Sequence, residues 1–159
     1  MNKKIVLTSG TGTGNTELSA FDAALFHAGI ANHNLIPLSS VIPEGFQVKL
    51  GKPALNKKGY GDRLYVVIAQ HRQSQFGDEA WAGLGWITTT KAPYKGLFVE
   101  HHGDSKEFVE RAIKQSLTDM RTYRSEKFGK IHMHLSGIRC DGTSVCALVA
   151  AIYKSESWG

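Results

Sequence analysis

The sequence predicts an α+β layered sandwich, and three observations carry that prediction. Five to seven strand-like runs, rich in β-branched and aromatic residues, lie between glycines and prolines. Only two stretches show the apolar spacing of an amphipathic helix. The strand–helix–strand alternation of a parallel fold is missing, and the chain closes on two consecutive strands around a turn signal. At 159 residues, 42% hydrophobic and 21% charged, the chain is sized for one domain, residues 1–159, whose core needs neither disulfide nor metal.

Residues 3–9, KKIVLTS, read as a short strand, and GTGTGN as the tight turn into a helix. Its G-x-G-x-G spacing lacks the third glycine of a dinucleotide loop, and no G-K-[ST] follows, so a phosphate site is not indicated. In TELSAFDAALFHAGI, Leu18, Phe21, Leu25 and Ala28 form one stripe and Gly29 is a stop. Asp22 falls inside that stripe, where a carboxylate must be paired or await a cationic ligand. Strands follow at 63–71, 81–90 and 96–103. In DSKEFVERAIKQSLTDMRTYR, Asp104 or Ser105 caps a helix, Glu107 completes a capping box with Asp104, and Phe108, Ala112, Ile113, Leu117 and Met120 make the stripe. KIHMHLSGIR and SVCALVAAIYK flank Asp141-Gly142 and read as a closing hairpin.

A net charge of +5 and a pI near 9.3 raise the question of nucleic acid. The cationic residues are scattered among acids, however, which describes a solvated surface. Cys140 and Cys146 are too far apart for a CxxC pair and read as buried thiols in a reducing cytosol. The apolar run Ile5–Leu7 is too short for a signal peptide and no later run would span a bilayer, so the expectation is a soluble cytoplasmic protein without a membrane partner. His132 and His134 share a strand face, but no third ligand is indicated, and His101 and His102 point to opposite faces; no metal site is expected.

Two features invite chemistry. Alternation in GLFVEHHG puts Glu100 on the face of Phe98, where apolar surroundings would keep the carboxyl protonated near neutrality and able to donate a proton; a solvated edge-strand glutamate is the alternative. In LIPLSSVIPEG, Ser39 and Ser40 sit among Leu, Ile, Val and two prolines. A serine hydroxyl can attack the preceding carbonyl, convert the amide to an ester and, by β-elimination and hydrolysis, leave a pyruvoyl group and ammonia. An ordinary Ser-Ser turn accounts for the same dipeptide.

The surrounding segment weighs on that choice. LSAFDAALFHAGIANHNLIPLSSVIPEG, residues 18–45, resembles the part of the pyruvoyl-dependent arginine decarboxylases in which a helix with F-D-x-A-L leads through A-G-I-x-N-x-N-L to the self-cleaving Ser-Ser pair. GLFVE, residues 96–100, is similar to that family's strand carrying the catalytic glutamate, and the resemblance extends over nearly the whole chain. It implies a four-layer αββα sandwich with mostly antiparallel sheets, assembled as a trimer or a pair of trimers with active sites between subunits. It also implies cleavage between Ser39 and Ser40 into a β chain (1–39) and an α chain (40–159), with a pyruvoyl cofactor derived from Ser40 and no metal. Arginine would form a Schiff base on that group, lose CO₂ and leave as agmatine. By the same resemblance Asn34 donates to the oxyanion near the scissile bond, Glu100 is the proton donor, Ser39 lines the substrate site, and Asp22 clamps the guanidinium at a neighbouring protomer's site. His33 and the Thr-Gly repeat fall outside the pattern. A histidine or other amino-acid decarboxylase of the same type, or a non-catalytic trimeric binding protein, are the competing readings.

Overall fold

Alternating burial along the strands sorts the chain into layers. A computed structural model describes residues 3–159. Its elements, in chain order, are β1 (Lys4–Gly14), α1 (Glu17–Ala28), β2 (Asn34–Pro37), β3 (Val41–Ile42), β4 (Gln47–Leu50), β5 (Arg63–Gln73), β6 (Glu79–Thr88), β7 (Gly96–Gly103), α2 (Lys106–Thr122), β8 (His132–Arg139) and β9 (Ser144–Glu156). One sheet runs β2-β5-β9-β1-β4 and the other β3-β7-β6-β8. Pairing is antiparallel except for β1–β4 and β2–β5, so the α+β sandwich stands.

Three apolar clusters define four layers. Ile5, Leu7, Leu84, Phe98, Val149 and Ala151 meet between the sheets. Leu64, Val66, Leu148 and Ile152 face α1 from the first sheet, and Ile87, Leu97 and Val99 face α2 from the second. β9 is buried over eight consecutive residues from Val145 to Ile152, as a central strand covered on both faces must be.

That burial overturns the closing hairpin. β9 pairs with β5 and β1, whereas β8 pairs with β6 in the other sheet. The Asp141-Gly142 turn therefore crosses between layers, because a strand apolar on both faces belongs at a sheet centre and the half-buried β8 at an edge.

The Thr-Gly repeat is not a turn. β1 continues to Gly14, and the period of two that spaces the glycines is the period of a strand, so they share one face. α1 lies on that face so closely that a β-carbon at Gly12 would collide with the Ala24 amide, and one at Gly10 with the Ala24 carbonyl. Only small side chains fit opposite, so α1 buries Ala20, Ala24, Leu25 and Ala28. The Leu18-centred stripe is corrected accordingly: Leu18 is 66% exposed and Asp22 lies on the outer face, not in the core. Thr16 caps α1 with Ser19 in a reciprocal box, and Gly29 ends it in a left-handed conformation.

α2 buries Val109, Ile113 and Leu117, while Phe108 is half exposed. Its cap is Ser105, whose hydroxyl accepts from Phe108 N–H; the Asp104–Glu107 capping box does not form, because Asp104 is engaged by His71. Cys140 and Cys146 are buried and free. Burial pushes the Cys146 thiol up to about 11. Among the described residues no helix is long and apolar enough to cross a membrane.

Candidate active site

The Ser39–Ser40 peptide is where the chain leaves one sheet and joins the other. Leu38 N–H donates to Val66 O at 2.8 Å, prolonging the contact of β2 with β5. Two residues on, Ser40 O accepts from Phe98 N–H at 2.7 Å and β3 begins beside β7. Between these anchors the chain makes a three-residue turn, with Val41 N–H donating to the Ser39 carbonyl at 2.9 Å.

The Ser40 hydroxyl donates to Glu100 Oε2 at 2.7 Å. Glu100 does share a face of β7 with Phe98, as alternation predicts, but it is exposed whereas Phe98 is fully buried. The face runs from the inter-sheet core at Phe98 to the rim at Glu100, so among the described residues the apolar enclosure expected around the carboxyl does not form. Tyr153, reaching across from β9, donates to Val41 O at 2.8 Å and sets its ring edge-on to Phe98. Burial first, and then the charge of Glu100, push the Tyr153 phenol well above its ordinary range and keep it a hydrogen donor. An apolar groove of about 320 Å³, lined by Leu38, Phe46, Tyr65, Tyr153 and Lys154, opens beside this residue.

Further along the Glu100 face, His102 Nδ1 meets His71 Nδ1 at 2.9 Å, and His71 Nε2 meets Asp104 at 2.7 Å. The two nitrogens in contact share one proton, so the imidazoles join the sheets at the rim. Elsewhere His134 bonds Ser9 across the sheets and His132 stacks on Trp86. Among the described residues no three His, Cys, Asp or Glu side chains converge as a metal site would require.

Ser39, Ser40 and Glu100 are thus brought together, and two predicted residues are not. Asn34 opens β2, and its amide donates to Gly61 O at 2.7 Å, which also accepts from Trp158. It clamps a loop and the C-terminal segment, at the far end of β2 from the serines. Asp22 sits on the outside of α1, on the opposite side of the first sheet from the inter-sheet rim that holds Ser40. His33 bonds the nearby Ala31 carbonyl at 2.8 Å. Tyr153 and His71 escaped the sequence reading. Their signal was a polar ring ending an otherwise apolar strand face: Val149, Ala151, Tyr153 on one strand and Val67, Ala69, His71 on another.

The pyruvoyl-dependent arginine decarboxylase family model matches residues 4–157. A pyruvoyl-dependent arginine decarboxylase of Methanopyrus kandleri is 31% identical, over 94% of this chain and 95% of the relative. Pyruvoyl-dependent arginine decarboxylase 2 of Archaeoglobus fulgidus is 30% identical, over 80% and 82%. That of Halobacterium salinarum is 40% identical, over 61% and 59%.

Proposed function

Because this chain belongs to the pyruvoyl-dependent arginine decarboxylase family, we propose that it cuts itself between Ser39 and Ser40 and uses the keto group left on residue 40 to convert arginine to agmatine and CO₂. The observation that carries this reading is the contact of the Ser40 hydroxyl with Glu100, made while the carbonyl to be attacked already accepts the Val41 N–H. Hydroxyl, proton acceptor and oxyanion donor stand together in an uncut chain.

The surroundings of residue 40 suit a pyruvoyl group, since its carbonyl, which that group keeps, is held by the Phe98 backbone donor and a carboxyl stands on its side-chain side. When formed, that group supplies an electrophile for the substrate amine and a sink for the electrons released with CO₂. Phe98 N–H, 2.7 Å from the residue 40 oxygen, is placed to stabilise negative charge there. Glu100 accepts the Ser40 proton during cleavage, a role its contact with that hydroxyl supports, and later returns one to the substrate α-carbon. Asp22, outside α1, serves a neighbouring protomer by pairing with the guanidinium, in a trimer or pair of trimers.

Intact-mass analysis of wild type and Ser40→Ala tests the reading. Wild type resolves into fragments 1–39 and 40–159, the latter carrying a hydroxylamine-reactive carbonyl, and Ser40→Ala remains one folded chain. A wild-type sample that stays whole after prolonged incubation sinks the proposal. Asp22→Asn should leave cleavage intact and raise KM for arginine, since losing the partner of a desolvated guanidinium costs about 2 to 5 kcal/mol.

A further inference from the structure

We propose that Tyr153 is a positioning residue for self-cleavage: by holding the Val41 carbonyl, its hydroxyl aims the Val41 N–H at the scissile Ser39 carbonyl. The inference rests on the self-cleavage reading above and deepens it.

The geometry follows from ladder rules. β3 is an edge strand of two residues, paired among the described residues with β7 alone. In an antiparallel pair, residues alternate between exchanging backbone bonds with the partner and turning both groups away from it. Ser40 O is bonded to Phe98, so the next residue, Val41, turns its N–H and its C=O outward, where, among the described residues, no strand lies. Edge groups of this kind usually go to water. Here both are engaged at the cut: the N–H by Ser39 O at 2.9 Å and the C=O by Tyr153 Oη at 2.8 Å.

Phe98 fixes the 40–41 peptide and Tyr153 fixes the one after it. Between these two clamps the Val41 N–H has one direction left, toward Ser39 O. The strut itself is stiff, because the Tyr153 ring is half-buried, packs on Phe98 and springs from the central strand of the other sheet. It therefore holds β3 in register with the first sheet, which carries the Ser39 side of the bond through Leu38.

The chemistry shows which step depends on this aim. Ser40 Oγ bonds to the Ser39 carbonyl carbon while its proton passes to Glu100, and the carbonyl π pair moves onto the oxygen facing Val41 N–H. Collapse breaks the C–N bond, the Ser40 nitrogen takes the proton back, and an ester with a free amine results. Elimination then removes the Ser40 α-proton, breaks the Cβ–O bond and releases Ser39 as a carboxylate. Water converts the remaining dehydroalanine to the keto group and ammonia. Ester formation puts a full charge on the Ser39 carbonyl oxygen in a tetrahedral adduct, whereas elimination spreads its charge over both oxygens of the leaving carboxylate, so ester formation is the step that leans most on Tyr153.

The test follows cleavage of the full chain by intact mass, with and without hydroxylamine, which captures the ester as a hydroxamate on Ser39. Tyr153→Phe keeps the ring and should melt within a few degrees of wild type. It should cleave about tenfold more slowly, as loss of one aligned hydrogen bond predicts, and hydroxamate yield should fall in proportion. Cleavage at the wild-type rate overturns the proposal. Slow cleavage with undiminished hydroxamate also overturns it, because Tyr153 would then act after the ester. Val41→Pro decides the matter if the tyrosine variant fails to fold: edge strands tolerate proline, and the variant lacks the donor, so it should not form ester, whereas wild-type cleavage by it overturns the proposal. Wild type that never cleaves is a separate result, which removes the parent reading.

Discussion

The two helices cover their sheets in opposite ways. α2 drives Val109, Ile113 and Leu117 into its sheet and turns outward a face of charges such as the Lys106–Glu110 pair. α1 rests an alanine row on glycines, and its outward face carries Leu18 and Phe26, 66% and 57% exposed, with Asp22 between them. These three, spaced four apart, share one side of the helix. Water suits the outer face of α2, while that of α1 is apolar around a single carboxylate, as the trimer proposed above would require of a face that a second copy covers. The difference teaches that helical spacing reports an apolar side without saying which neighbour covers it.

The largest effect expected from this contrast is on folding. Gly12→Val would drive a side chain into the backbone of α1 and should cost at least about 3 kcal/mol. Gly83→Ala, under α2, meets side chains and not backbone, Leu135 Cγ and Val109 Cγ1 at 2.9 Å, and should cost less, about 1 to 2 kcal/mol. Equal losses in urea unfolding would erase the distinction between the two layers. A smaller effect is expected on assembly. Replacing Leu18 and Phe26 together by Ser should weaken subunit association at least about tenfold with the fold retained, whereas Phe108→Ser on α2 should leave it unchanged; light scattering on sized samples reads both, and an undisturbed L18S/F26S assembly would remove α1 from the interface.

The smallest effect is on pH dependence. His134, between the sheets, and His101, bonded to Ser116 of α2, both have pKa values lowered, chiefly by burial. As pH falls through about 6.5 the unfolded chain takes up these protons first, so stability is full above that value and declines down to the lowered folded pKa. Tm should drop by a few degrees toward pH 5, and His134→Gln should flatten the slope; an unaltered slope would assign the dependence to other groups.

Much of the site was legible locally. The Ser39–Ser40 dipeptide and the period that puts Glu100 on the Phe98 face are properties of neighbouring residues, and both stand in the structure. The glycine repeat was misread because a period of two in glycine carries no side chains by which a strand face is recognised, and the choice of Leu18 over the alanines followed from size. Asn34 took its role from the family resemblance, and in this chain β2 carries it to the end away from the serines, where it bonds Gly61.

By itself, the order of residues determined most of the segments that extend, the two that coil, and a Ser-Ser pair set among apolar residues, because those features depend on steric and polar preferences within a few positions. Tertiary structure alone decided that β8 and β9 part into different sheets, that α1 buries its smallest residues, and that Tyr153 from the far sheet reaches the carbonyl after Ser40. Such pairings are set by which apolar faces close on one another across the whole chain, and no local pattern encodes them.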